Sequence, residues 1–77
     1  MYQYTICNRP DEKIFRKQCS ALEKHIPGLR LLEDLQDVDG SLIRIYDKDS
    51  AKIKIMNHFD LGGIFIDSEI ELEQFFK

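Results

Sequence analysis

The sequence predicts an α+β fold in which one antiparallel sheet, in the order βαββββα, packs with a long N-terminal helix and a short C-terminal helix. Three observations predict it. Residues 10–26 repeat apolar side chains at helical spacing. The second half holds short β-rich runs separated by turn residues. Residues 68–71 read Ser-Glu-Ile-Glu, the signature of a helix start. With 77 residues, the chain is expected to form a single compact domain over 1–77.

Tyr2, Tyr4 and Ile6 alternate with Gln3 and Thr5, which describes a first strand. Pro10, Asp11 and Glu12 then suit a helix entrance, because proline is tolerated in the first turn and acids there oppose the helix dipole. The helix should run from about Pro10 to His25 or Ile26. Phe15, Cys19, Leu22 and Ile26 form its buried stripe, with Ile14 beside them, and Pro27-Gly28 ends it. Residues 29–38 form a second strand of mixed parity. Leu29, Leu31 and Leu35 share one side and Leu32 and Val38 the other, which a bulge near residues 32–34 would reconcile.

Asp39-Gly40 stands between two apolar runs and predicts a two-residue type I′ hairpin turn. Residues 42–46 leave that turn as a strand, and residues 47–50 make a polar break. Residues 51–59 alternate: Ala51, Ile53, Ile55 and Phe59 lie on one side, and Lys52, Lys54 and His58 on the other. This favours a strand. A helix over residues 50–59 is the alternative, and it would give a ferredoxin-like βαββαβ order plus a terminal helix. Asp60-Leu61-Gly62-Gly63 forms the third break, and Ile64-Phe65-Ile66 the last strand. Gly62-Gly63 lacks the Lys-Ser/Thr and the following helix of a phosphate-binding loop. Ser68 is expected as N-cap of the last helix with Glu71 at its third position. Leu72, Phe75 and Phe76 would dock that helix, and Lys77 would favour its C-terminal end.

The net charge of −3 argues against a general polyanion binder. Glu33, Asp34, Asp37 and Asp39 form an acidic run without a base. No apolar run reaches membrane-spanning length, and the first residues lack the pattern of a signal peptide. Two cysteines are too few for a disulfide scaffold, so a cytoplasmic location is expected. A domain of this size buries only about 60% of its unfolded surface, which makes self-association an option.

Cys7, Cys19, His25 and His58 are the inventory of a zinc site, but no pair has ligand spacing, and no metal is expected. Cys19 on the buried stripe lacks the exposure a nucleophile needs. Asp37-x-Asp39-Gly40 departs from a calcium loop at Leu35 and Tyr46. No carboxylate stands isolated in an apolar run, so no general acid or base is nominated. No catalytic residue and no cofactor are expected.

If Ile43, Ile45, Ile53, Ile55, Ile64 and Ile66 face the helices, the other sheet face shows Leu42, Arg44, Tyr46, Lys52, Lys54, Met56 and Phe65. Cations among aromatics suit either a single-stranded nucleic-acid platform or a protein interface. The negative net charge and the missing RNP signature favour protein. The sequence therefore predicts a small non-catalytic protein-binding domain of inhibitor, adaptor or regulatory type. Its binding residues would be Arg44, Tyr46, Lys52, Lys54 and Phe65 on the face, and Glu33, Asp34, Asp37 and Asp39 on an acidic edge. The alternative function follows the alternative fold: a dimeric ferredoxin-like module that binds a small ligand at the subunit seam.

Overall fold

The computed structural model describes residues 1–76. Its elements are β1 (Tyr2–Cys7), α1 (Glu12–His25), β2 (Arg30–Gln36), β3 (Leu42–Lys48), β4 (Ala51–His58), β5 (Gly63–Ser68) and a 3-10 turn, η1 (Glu73–Phe75). The five strands form one sheet in the order β1-β5-β4-β3-β2, with every neighbouring pair antiparallel. β2 to β5 form a meander, and β1 docks outside β5. The crossover from β1 to β2 therefore spans the whole sheet, and α1 covers one of its faces.

Asp11 caps α1. Its Oδ1 accepts the Ile14 N–H at 3.1 Å. The Asp11 N–H in turn donates to Oδ1 of the buried Asn57 on β4 at 3.0 Å, which pins the helix entrance to the sheet. The stripe behaves as its spacing requires: Phe15, Cys19, Leu22 and Ile26 are all buried. They pack on Tyr46, Ile53, Ile55, Ile64, Ile66 and Leu72 to form the core. Gly28 follows the helix in the left-handed region at φ 76°.

Residues 51–58 form a strand, paired on both sides. This removes the ferredoxin-like order, which needs a helix there. The expected bulge in β2 is present, as a register shift between Leu31 and Glu33.

The two hairpin turns of β3 correct the sequence reading. The β2–β3 connection is a three-residue loop, Val38-Asp39-Gly40, closed by the Asp37 N–H on the Ser41 carbonyl at 2.8 Å. Only Gly40 has positive φ there, so Asp39-Gly40 is not a two-residue type I′ turn. Asp39 instead accepts the Ser41 N–H at 2.9 Å, which favours the longer loop. The two-residue turn is Asp49-Ser50, with φ 51° and 73°, closing on Lys48 opposite Ala51.

The short C-terminal helix is also corrected. Ser68 is fully buried within β5, and its Oγ accepts the Ile70 N–H at 3.1 Å instead of capping a helix. Leu72 is buried, and its N–H donates to Tyr4 Oη at 3.0 Å. Among the described residues only η1 follows, and Phe75 packs partly against the core. The Phe76 ring lies 5.0 Å from the His25 ring. Lys77 lies outside the described residues.

Candidate functional site

α1 covers one sheet face, and no element among the described residues covers the other. Strand register assigns the side chains to each. On β4, Ile53, Ile55 and Asn57 are buried beneath α1. Tyr46 pairs with Ile53 and Arg44 with Ile55, so both share the helix face. Their placement on an exposed face is therefore corrected. The reason is geometric. The two-residue turn at Asp49-Ser50 sets the count between β3 and β4, and that count turns Ile43 and Ile45 outward.

Tyr46 is fully buried, and its Oη donates to Glu23 Oε2 on α1 at 2.6 Å. Arg44 lies between two carboxylates, with Nη1 3.5 Å from Glu23 and Nε 3.4 Å from Asp34 on β2. Burial pushes the Tyr46 phenol up, and its bond to Glu23 adds to the shift. Arg44 is held charged by the Tyr46 hydroxyl and the acids around it. Cys19 is sealed beside them, and desolvation raises its thiol, so it is a neutral core side chain. Asp34 is exposed on the edge strand β2 and is tied to Arg44 by its ion pair on the helix face of the sheet.

The open face keeps Lys52, Lys54, Met56 and Phe65 and adds Ile43, Ile45 and Leu35. Register places these residues in rows across the strands. Leu35, Ile43, Met56, Phe65 and Thr5 form an apolar row that ends in one hydroxyl. Glu33, Ile45, Lys54, Asp67 and Gln3 form the next. Arg30, Asp47 and Lys52 form a third row held by ion pairs: Asp47 meets Lys52 Nζ at 3.1 Å and Arg30 Nη2 at 3.3 Å. The Lys52 hydrogen bond, assisted by Arg30, holds the Asp47 carboxyl below its ordinary range. Lys54 makes no ion pair among the described residues. A groove of about 660 Å³ crosses the last two rows, with Ile45 and Lys54 along it and Glu33, Asp67 and Glu69 at its sides.

Asp37 and Asp39 sit in the β2–β3 loop and accept backbone N–H groups from Val38 and Ser41. Both are therefore engaged in shaping the turn, and Asp39 is lowered chiefly by the Ser41 backbone bond. Cys7 pairs with Ile64 on the helix face, whereas His58 pairs with Gly63 on the open face, so the sheet separates them. No group of three or more potential metal-binding side chains occurs among the described residues. No helix among them is long and apolar enough to cross a membrane.

Sequence reasoning missed Ile43 and Ile45 as surface residues. The signal that finds them is the two-residue length of the Asp49-Ser50 turn, combined with the buried parity of β4. In comparisons with known proteins, the chain matches no family model, no curated protein and no solved structure.

Proposed function

We propose that this chain is a small non-catalytic protein-binding domain, of inhibitor, adaptor or regulatory type, that docks another protein on the helix-free face of its sheet. The observation that carries this reading is the row Leu35, Ile43, Met56 and Phe65. It is an apolar stripe four strands wide, bordered by Lys54, Asp67 and Glu33. An apolar centre with a polar rim of both signs is the anatomy of a protein interface. The partner it fits offers apolar side chains to the stripe and an acceptor to Lys54. The bulge at β2 disfavours regular strand addition on that edge, so the face is the better docking surface.

Two competing readings lose support. With Arg44 and Tyr46 under α1, the open face retains Lys52 and Lys54 beside Asp47, Asp67 and Glu33, a poor platform for a polyanion. With β4 a strand, the ligand seam of a ferredoxin-like dimer has no structural basis here.

The test is partner capture with face variants. Wild-type protein and the pair Ile43→Asp with Met56→Asp would be immobilised after circular dichroism shows both folded. Lys17→Glu, on the exposed side of α1, serves as the control. The proposal expects a protein retained by wild type and by the control but lost with the face variant. Equal retention by all three would overturn it.

A further inference from the structure

The two edges of the sheet differ in kind. β2 is bulged and carries Glu33 and Asp34, devices that keep an edge from pairing with another strand. β1 carries no charge, and its one bulge lies at its far end, between Thr5 and Cys7. Its sequence Tyr-Gln-Tyr-Thr-Ile-Cys holds no charge and no proline, and its register with β5 is unbroken from Tyr2 to Thr5. Tyr2 and Ile6 are exposed along it, at 46% and 36%. Beside it lies an apolar crevice of about 180 Å³, lined by Tyr4, Ile6, Leu22, Leu72 and Phe76.

We propose that β1 pairs antiparallel with β1 of a second copy of this chain, joining the two five-stranded sheets edge to edge. A two-fold axis normal to a sheet requires one residue to face its own copy. Tyr4 and Thr5 in that position give equal overlap of the strand, and Tyr4 keeps the bulge between Thr5 and Cys7 away from the centre. Tyr2 then faces Ile6 of the second copy, and Gln3 faces Thr5 of the second copy. The Tyr4–Tyr4 and Gln3–Thr5 pairs each lie on one sheet face, because those registers keep parity, whereas Ile6 sits in the β1 bulge at the margin of the pairing. No like charges meet.

The charges flanking the strand also fit. Glu71 and Glu73 share a hollow with Tyr2, Gln3 and Tyr4 at one end of the edge. Arg9 lies just past Cys7 at the other end, exposed and in no ion pair among the described residues. In this register Arg9 of the second copy falls beyond Met1 at the Tyr2 end of the edge, on the same side of the strand's centre as the hollow that holds Glu71 and Glu73, and the axis repeats this at both ends. The β2 edge offers no such match, since centring on Glu33 or Asp34 would set acid against acid. The pairing leaves the open face free, so it is independent of the docking proposed above.

The test is sedimentation velocity over a concentration series, with two paired variants. Gln3 and Thr5 are exposed side chains, and circular dichroism confirms that each variant is folded. Gln3→Lys with Thr5→Lys sets cation against cation at both symmetry-related pairs. Gln3→Lys with Thr5→Glu sets cation against anion at the same places. Wild type is expected to sediment as a dimer. The first variant should dissociate about tenfold more readily, and the second should recover the dimer. A monomeric wild type would overturn the proposal. So would a dimer that both variants leave unchanged.

Discussion

Tyr46 Oη, under the helix, donates a 2.6 Å hydrogen bond to Glu23 Oε2. This bond joins the middle of β3 to α1 and gives the one polar atom of a fully buried ring its partner. Arg44 reaches the same carboxylate oxygen, so Glu23 ties two residues of β3 to the helix. Tyr46→Phe should cost about 1–2 kcal/mol, because the acceptor is charged but half in water. Urea unfolding at neutral pH measures this.

The same bond sets an alkaline limit. The folded phenol is raised by burial and by Glu23, so the unfolded chain releases that proton first as pH rises. The stabilisation is fully present below about pH 10, the ordinary tyrosine range, and declines above it. Comparing urea midpoints at pH 8 and pH 10.5, wild type should lose more stability than Tyr46→Phe. Equal losses would place the alkaline sensitivity elsewhere.

Asp49 and Ser50 both hold positive φ, at 51° and 73°, in the tightest hairpin of the sheet. A type I′ turn prefers Asn-Gly at these positions, because L side chains crowd the left-handed region. Ser50→Gly should therefore stabilise the fold by about 0.5–1 kcal/mol, even after the greater freedom of glycine in the unfolded chain is subtracted. A rise in urea midpoint at constant slope is the expected result.

That turn also explains which parts of the fold were legible. The stripe Phe15, Cys19, Leu22 and Ile26 announces α1 because four core positions repeat at helical spacing. Alternation in β4 is equally plain, since Ile53 and Ile55 are buried while Lys52 is exposed. β3 is different. Ile43 and Ile45 are as apolar as Arg44 and Tyr46 are polar, and composition alone points the wrong pair inward. Only the turn length, which sets Tyr46 opposite Ile53, reverses that choice. Ser68 misleads for a related reason. Ser-x-x-Glu marks a helix start locally, but β5 continues through Ser68 to pair with Tyr2 and Ile53. Long-range pairing prevails over the local signal.

Asp47 sits between Lys52 and Arg30, and its carboxyl is lowered first by the Lys52 hydrogen bond. A lowered carboxyl stabilises the fold above its unfolded pKa and loses that contribution as pH falls through its folded value. Wild-type stability should thus decline below about pH 4, the ordinary aspartate range. Asp47→Asn should flatten that decline in thermal melts between pH 5 and pH 2.5. An unchanged slope would mean that the Arg30–Asp47–Lys52 row contributes nothing measurable to the folded state.

Ile55 and Met56 are neighbours on β4 that serve opposite faces. Ile55 is fully buried beneath α1, whereas Met56 lies between Ile43 and Phe65 on the open face. Ile55→Ala removes core volume that the helix and sheet are unable to refill, and should cost about 3–4 kcal/mol. Met56→Ala trims a side chain that already meets solvent, and should cost about 1 kcal/mol or less. Paired urea titrations give both values from one strand. Comparable losses would mean that the apolar row is packed as tightly as the core, and its residues would then serve stability and not docking. A large difference would leave Met56 available for a partner, with Ile43 and Phe65 beside it on the same face.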